Sequence, residues 1–211
     1  MKYAPLKILI LFFPLLLLAA PRATAQRFHF DQYVNGNKVG ELTASRSQQG
    51  EQTVFRIRSQ VEAQVVFAID VRFELESVFQ QGILQHSEVK IYRNDKLKEH
   101  ALTRREGNRY RLTHDGKTSW LDHPGIQETS ATIYFEEPLG TSSVFSEQYG
   151  NFSPLRREKP GVYRMSPPSK NQDNVYHYRE ERLAEVEVGH WLATIMFKAR
   201  SEEGVTASGG N

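Results

Sequence analysis

From Phe28 onward, apolar and polar residues alternate in short runs separated by turn-forming pairs. The runs are rich in Val, Ile, Thr, Tyr and Phe, and a period of two gives a strand one dry and one wet face. The residues of six pairs tolerate the positive φ of tight hairpins: Asn35-Gly36, Gln49-Gly50, Gln81-Gly82, Asn94-Asp95, Gly107-Asn108 and Asp115-Gly116. The pattern predicts an antiparallel meander.

The second half of the chain continues this pattern with one interruption. Further strands are predicted at residues 152–157, 162–165, 175–179 and 183–188. Between them and the first half, Thr129 and Ser130 are positioned to cap one short helical turn that Pro138 ends. A total of about eleven strands is more than an open twisted sheet easily carries. We therefore expect a mainly β fold, an antiparallel meander curved into a half-barrel or barrel, with a flatter sandwich as the alternative.

The stretch from residue 53 to 79 predicts a hairpin with a definite register. Charged residues alternate with apolar ones on both predicted strands. Centring the hairpin on position 67 places Arg58 opposite Glu76 and Glu62 opposite Arg72. A shift by one pair would bring Glu62 against Asp70, which like-charge repulsion disfavours.

Two further segments are apolar where polar residues are expected. The predicted hairpin tip contains Val66, Phe67 and Ile69. Either the tip folds back to plug one end of the sheet, or it forms an apolar lip that contacts a ligand, a membrane or a partner. The stretch from Trp191 to Phe197 is apolar on both faces, so we expect it to be covered on both sides.

The first 25 residues have the composition of a secretory signal peptide. Lys2 and Lys7 supply a basic start, residues 8–20 are almost continuously apolar, and a small-residue cleavage site precedes Gln26. Pro14 interrupts the apolar run, which is short for a membrane span, although an uncleaved anchor helix is the alternative. We expect a periplasmic or secreted protein with a single β domain at 26–200 and a polar, disordered tail at 201–211.

The charge and cysteine content exclude several classes of function. The chain has 27 basic and 25 acidic residues, and the predicted signal peptide contains three of the basic ones and no acidic one. The remaining chain has a net charge near −1, which leaves no uniform positive field for nucleic acid. There is no cysteine, which excludes disulfides, thiolate metal sites and thiol catalysis.

Motifs for catalysis are scarce. None of the seven histidines has another at a close metal-ligand spacing, so we expect no metal or other cofactor. There is no nucleophile elbow of the GxSxG type and no phosphate-cradling glycine loop. Paired carboxylates such as Glu185 and Glu187 are typical of solvated strands. The polar and aromatic set most worth testing combines Glu147 and Tyr149 with His190.

Three segments resemble the landmarks of a known family. FDQYVNGNKVG at 30–40, FSEQYG at 145–150 and EVEVGH at 185–190 are similar to an exported family of unknown function common in Bacteroidota. The likeness extends over nearly all of the chain after the predicted signal peptide. The spacing also resembles periplasmic domains with curved, lipoprotein-carrier-like sheets. The resemblance implies export and a curved sheet, and it brings no catalytic residue.

These observations favour an exported, non-enzymatic protein that binds an apolar or amphipathic, lipid-like ligand in a curved sheet. The candidate ligand-binding residues are Val66, Phe67, Ile69, Glu147, Tyr149, His190 and Trp191. One alternative is an envelope protein-interaction module with a filled interior, and another is a hydrolase without a recognisable motif. The same alternation fits a hollow and a filled interior, so the pattern does not choose between them.

Overall fold

A computed structural model describes residues 25–63, 69–168, 173–189 and 194–200. The described residues form fourteen strands and one short 3-10 helix at Thr132–Tyr134. The strands are β1 Ala25–Val34, β2 Asn37–Gln49, β3 Gln52–Ala63, β4 Ile69–Gln80, β5 Ile83–Arg93, β6 Lys96–Glu106, β7 Arg109–His114, β8 Lys117–Asp122, β9 Ser143–Ser146, β10 Asn151–Lys159, β11 Val162–Met165, β12 Asn174–Arg179, β13 Arg182–Val188 and β14 Ile195–Ala199. The predicted cleavage motif apart from Ala25, the rest of the signal peptide and the tail lie outside the described residues.

All strands belong to one antiparallel sheet in the order β8-β7-β6-β5-β4-β3-β2-β1-β14-β13-β12-β11-β10-β9. The sheet consists of two meanders that join where β1 pairs with β14, with Phe30 opposite Ala199. The predicted antiparallel β fold is confirmed. The strand count exceeds about eleven partly because β9 has four residues, too few for an alternation to be recognised.

The hairpin turns follow the predicted pairs. Each of the six pairs lies at a turn, and Asn35 and Gly36 adopt φ values of 50° and 80°. A further turn joins β12 to β13 through Glu180 and Glu181, at φ values of 52° and 63°. Glutamate is not a residue that favours positive φ, so the sequence carries no signal for this turn.

The predicted register of the β3–β4 hairpin is wrong by one pair. Arg56 lies opposite Glu76, Arg58 opposite Glu74, and Glu62 opposite Asp70, which is the arrangement that charge repulsion was expected to exclude. A shift of one pair leaves every side chain on its original face, so the apolar pattern does not oppose it. One like-charge pair costs only a few tenths of a kcal/mol to about 1 kcal/mol, which other contacts outweigh.

The sheet curls until its two halves touch. Gln148, just after β9, donates from Nε2 to Glu99 Oε2 on β6 at 2.8 Å. The rings of His123, beyond β8, and Phe152 on β10 lie 5.1 Å apart. Strands β8 and β9 are the two edges of the sheet, and no pairing joins them in the described part of the chain. The sheet is therefore a half-barrel, one of the two forms predicted, and not a closed barrel.

The connection between the two edge strands crosses the concave side of the sheet. We call residues 123–142 the crossing segment. Its Ile126, Ala131 and Ile133 are at most 2% exposed. Tyr110 on β7 holds the segment by donating its hydroxyl to the Leu84 carbonyl at 3.0 Å and accepting from Ile126 N–H at 2.9 Å. The middle of the half-barrel is therefore filled by its own chain.

The predicted helical turn lies in this crossing segment as the 3-10 helix. The predicted cap is wrong, because Ala131 is the N-cap residue and no side chain caps the helix. Thr129 Oγ1 accepts from the N–H of Ala131 itself at 3.3 Å, and the Ser130 hydroxyl donates to Glu147. Aromatic packing then fixes the turn to the sheet, because Tyr134 meets Phe30 edge to face with ring centroids 5.8 Å apart.

Candidate functional site

Among the described residues, two cavities on the concave side include residues of the crossing segment in their linings. The first, which we call the apolar cavity, has a volume of about 210 Å³. Its apolar lining comes from Ile57, Phe73, Leu75, Met165, Val188 and Phe197. The second, the polar cavity, has a volume of about 390 Å³, and its lining includes Arg46, Glu128, Glu136 and Glu137. The two ends of the half-barrel therefore differ in chemistry.

The apolar cavity exists because small and flexible side chains replace bulky ones on the inner face. Ser59 lies directly opposite Phe73 in the β3–β4 pair, where the alternation would allow a large apolar residue. Gln32 is fully buried and donates from Nε2 to Ser59 Oγ at 2.6 Å. The Oε1 atom of Gln32 has no hydrogen-bond partner within the described residues.

Gly40 makes room for this buried amide. A Cβ atom at Gly40 would lie 2.7 Å from Gln32 Oε1 and 2.1 Å from the Gln60 carbonyl oxygen. Any side chain at position 40 would therefore collide with the backbone of β3. Both Gln32 and Gly40 belong to the landmark segment at 30–40, so that segment specifies the wall behind the cavity.

Glu147 lies behind the apolar cavity and holds its wall together. It is 1% exposed, and its carboxylate accepts hydrogen bonds from Ser77 Oγ at 2.9 Å, the Ser130 N–H at 3.1 Å and the Ala131 N–H at 3.4 Å. The Ser130 hydroxyl also donates to it. Every contact is a donor, which is the environment that a carboxylate requires when it is buried. Glu147 thereby ties the crossing segment to β4.

Two tyrosines add polar groups to the apolar cavity. Tyr134 and Tyr176 both line it, and burial raises the pKa of each phenol above its ordinary value. Both hydroxyls therefore remain neutral at physiological pH. Tyr149, Ser130 and Asn174 supply further polar side chains to the lining. The arrangement suits a small molecule that is mainly apolar and has one polar end.

The polar cavity is arranged around carboxylates. Arg46 forms an ion pair with Glu136, whose side chain is 70% exposed. Glu137 accepts a hydrogen bond from the Tyr163 hydroxyl at 2.7 Å, and burial together with this carboxylate raises the pKa of Tyr163 to about 12. Tyr163 itself lies outside the lining, where the charged groups stand beside apolar side chains such as Phe55, Phe79 and Leu139.

One group on the outer face has the residue types of a metal site. His177, Glu185 and Glu187 offer ligand atoms that all lie within 4.8 Å of one another. His177 stands directly opposite Glu185 across the β12–β13 pair, and its Nε2 lies 2.9 Å from Glu187 Oε1. Imidazole and carboxylate ligands suit zinc and related divalent ions. The His–Glu contact is also a complete hydrogen bond without a cation.

Spacing along the chain does not reveal this group, because its histidine and its carboxylates lie on different strands. The hairpin at 180–181 brings His177 across to Glu185, and that turn carries no sequence signal. The sequence feature that indicates the group is a pair of carboxylates two positions apart on one predicted strand, with a histidine on the neighbouring predicted strand.

The structure separates the predicted site residues. Tyr149 lines the apolar cavity, whereas Glu147 is buried behind it and lines neither cavity. Ile69 is the first residue of β4, and its side chain is not among those described. The other four lie outside the described residues: Val66, Phe67, His190 and Trp191.

The lining residues that sequence reasoning missed come mostly from the crossing segment and the second meander. Tyr176 alternates with Tyr178 on β12, a two-residue aromatic pattern that marks an inward face. Tyr134 lies in the predicted helical turn, and nothing in the sequence indicates which part of the sheet that turn covers.

No helix among the described residues has the length and apolar character needed to cross a membrane. No curated protein matches the chain. Among solved structures, it is similar to a β-barrel-like protein of the domain of unknown function DUF1849 from Brucella abortus. The identity is 10% and the TM-score 0.52, over 83% of this chain and 95% of that one, so the likeness concerns the fold. A family model for a domain of unknown function matches residues 30–200, and the chain therefore belongs to the DUF6134 family.

Proposed function

We propose that this protein is an exported, non-enzymatic binding protein whose apolar cavity takes the apolar part of a small amphipathic molecule. The observation that carries the proposal is the lining of that cavity. Side chains of Ile57, Phe73, Leu75 and Met165 surround a volume of about 210 Å³, while Tyr149 and other polar groups also face it. Apolar walls with a few placed polar groups are the usual composition of a small-molecule site.

The volume limits the ligand. An engineered apolar cavity of about 150 Å³ binds benzene, so a cavity of this kind and slightly larger size suits one aromatic ring or a short acyl segment. The crossing segment fills the middle of the half-barrel, as the near-zero exposure of Ala131 shows. This interior therefore does not favour a whole lipid enclosed along the length of the half-barrel.

The N-terminal sequence supports the exported location. Its basic start, apolar run and small-residue site predict cleavage before Gln26. Expression of the full chain in a bacterial host, followed by fractionation and intact mass measurement, tests this. We expect an envelope or extracellular protein lacking residues 1–25, and a full-length mass in the cytoplasmic fraction would contradict it.

The binding proposal is tested by filling the cavity. N-phenyl-1-naphthylamine, an uncharged dye that fluoresces in apolar surroundings, serves as the probe. The native protein is expected to raise its fluorescence, and Val188→Phe is expected to weaken binding at least tenfold because the larger side chain occupies the cavity. Leu121→Phe is the matched control, since Leu121 is also half-buried but lies on β8 outside the cavity lining.

The outcome that opposes the proposal is equally specific. Equal dye binding by the native protein and both variants, or none by any of them, would exclude the apolar cavity as the binding site. Circular dichroism and urea unfolding of each variant establish that a loss of binding is not a loss of fold.

Native mass spectrometry of protein purified from its own host addresses the natural ligand. A reproducible small amphipathic adduct, recovered by organic extraction, would support the binding function. A bare polypeptide mass would favour the alternative of a protein-interaction module. The edge strand β8 is the surface for that alternative, because Trp120 on it is 45% exposed and an unpaired strand edge can accept a partner strand.

A further inference from the structure

The outer face of the half-barrel carries a group of basic and hydroxyl side chains that the proposed function does not use. We call it the basic grid, and its six members lie in two rows across strands β1, β2 and β3: Arg27, Ser45 and Arg56 in one row, His29, Thr43 and Arg58 in the other. The six residues line a depression of about 240 Å³. The sheet register, and not closeness in sequence, brings them together.

The grid lies on the side of the sheet opposite the apolar cavity. On each of the three strands its residues alternate with inward-facing ones, such as Phe30 on β1, Ala44 on β2 and Ile57 on β3. Those three inward side chains are at most 2% exposed. The grid and the apolar cavity are therefore separate sites.

The grid has an excess of positive charge. Arg56 is compensated, since its Nε lies 2.6 Å from Glu76 Oε2. Arg27 and Arg58 have no ion pair among the described residues, and no carboxylate lines the depression. Glu74, opposite Arg58 in the register, instead lies 3.3 Å from Arg72. Two guanidinium groups without an ion pair among the described residues thus face one depression, although Arg58 also borders a second depression lined by Glu74, Glu76 and Glu88.

Hydroxyl groups occupy the centre of the grid. Thr43 Oγ1 lies 3.3 Å from His29 Nδ1, and the Ser45 hydroxyl has no hydrogen-bond partner within the described residues. Neighbouring strands are about 4.8 Å apart, so β1 and β3 flank the hydroxyl row at a separation of roughly 9 to 10 Å. Arginine side chains can reach over that row from both sides.

We propose that the basic grid binds a tetrahedral oxyanion, a phosphate or sulfate group. Guanidinium groups bind such anions through paired, charge-assisted hydrogen bonds, and hydroxyl groups donate to the remaining oxygens. Arg27 and Arg58 supply the charge from opposite sides, while Ser45 and Thr43 supply the donors between them. The group belongs either to a soluble phosphorylated or sulfated molecule or to an anionic lipid headgroup, which share this chemistry.

Isothermal titration of the purified protein with inorganic phosphate at low salt tests the site. We expect Arg27→Gln and Arg58→Gln each to weaken phosphate binding about tenfold, because each removes a charge-assisted hydrogen bond. Arg104→Gln is the matched control: Arg104 is also exposed on the outer face, but on β6, outside the grid. Its phosphate affinity should equal that of the native protein.

Arg27 and Arg58 are exposed and have no ion pair among the described residues, so their replacement should leave the urea midpoint unchanged. Thr43→Val is a second variant, expected to weaken phosphate binding while all charges stay in place. The proposal is overturned if the native protein binds neither phosphate nor anionic vesicles, or if Arg104→Gln lowers phosphate binding as much as the grid variants do.

Vesicle sedimentation identifies the source of the anion. Vesicles of phosphatidylcholine containing phosphatidic acid are compared with vesicles of phosphatidylcholine only. Retention on the anionic vesicles that Arg58→Gln abolishes would assign the grid to a lipid headgroup. Phosphate binding without vesicle retention would assign it to a soluble ligand. Failure of both would overturn the grid as an anion site and would leave the dye test of the apolar cavity unaffected.

Discussion

The carboxylate of Glu147 accepts a hydrogen bond from the hydroxyl of Ser77, 70 positions away in the chain, at 2.9 Å. The other partners of Glu147 are Ser130 and Ala131 in the crossing segment. One buried side chain thus links a central strand of the sheet to the segment that fills the half-barrel. The apolar cavity has a fixed wall because of this link.

Replacing Glu147 should destabilise the protein strongly. Glu147→Ala leaves buried donors of Ser77, Ser130 and Ala131 without an acceptor, and the expected loss in the free energy of unfolding is about 3 kcal/mol. Urea unfolding followed by circular dichroism measures it. The control Glu136→Ala removes an ion pair with a largely exposed carboxylate and should cost less than about 1 kcal/mol. Similar losses in both variants would contradict the structural role of Glu147.

Gly40 should not tolerate even a methyl group. In Gly40→Ala the new Cβ would lie 2.1 Å from the Gln60 carbonyl oxygen, so the backbones of β2 and β3 must separate. We expect a loss of about 2 kcal/mol or more in thermal or urea unfolding. In Gly125→Ala the nearest atoms, at 3.2 Å, belong to the flexible Ile83 side chain, and the loss should be smaller. A neutral Gly40→Ala variant would refute the close strand contact.

Acid should weaken the cluster of ion pairs that joins β1 and β2 to Arg200, the residue just after β14. Lys38 lies 2.9 Å from Asp31 and 3.0 Å from Glu41, and Arg200 contacts both carboxylates. Hydrogen bonds from Lys38 first, and then from Arg200, lower the pKa of Asp31 and of Glu41. A carboxylate whose pKa is lower in the folded state stabilises the protein at pH values above its unfolded-state pKa, which is about 3.9 for Asp and 4.3 for Glu. This stabilisation is lost as the pH falls through the folded-state pKa.

Asp31→Asn tests this cluster of ion pairs. Its stability should depend less on pH than that of the native protein as the pH falls below about 4, because one of the titrating carboxylates is absent. Thermal unfolding at a series of pH values measures the difference. Asp122→Asn, at an exposed position on β8, should keep the native pH dependence. Identical acid profiles for all three proteins would contradict the assignment.

Alkali should act through Tyr163. Burial, followed by the hydrogen bond to Glu137, raises the pKa of Tyr163 to about 12, whereas an unfolded tyrosine titrates near 10. Because the folded-state pKa is raised, its stabilising effect is complete below about pH 10 and is lost as the pH rises toward 12. Tyrosinate absorbance of the native protein should show a group titrating near pH 12 that Tyr163→Phe removes. Burial raises the pKa of Tyr134 and of Tyr176 further, so those phenols do not contribute to this step. Tyr33→Phe, at a position outside this contact, should retain it.

Local geometry was the part of the fold that the sequence predicted well. Turns such as Asn35-Gly36 need positive φ, and few residue types supply it, so composition marks them. The β3–β4 register was mispredicted because moving Glu62 from Arg72 to Asp70 changes no face and little energy. The turn at Glu180 and Glu181 was missed because neighbouring strands, and not the residues themselves, impose its backbone conformation.

The candidate site was less predictable than the turns, because it depends on contacts between residues that are far apart in the sequence. Tyr149 was predicted as part of a polar and aromatic set with Glu147, but the burial of Glu147 depends on Ser130, which lies in the crossing segment. Alternation along a strand indicates which side chains face inward and does not indicate what fills the interior. The basic grid shows the same limit, since Arg27 and Arg58 become neighbours only when β1, β2 and β3 are aligned.

The pairing of β1 with β14 has a consequence for how the molecule is made. Arg200 and its partner Asp31 are 169 positions apart. One edge of β1 therefore stays unpaired until β14, which is distant in sequence, forms its hydrogen bonds with it. Such a high contact order slows folding and prolongs the lifetime of two half-sheets with open edges. Until synthesis ends, the nascent chain is exposed to aggregation along β1, and a holding chaperone that covers this edge should raise the yield of folded protein.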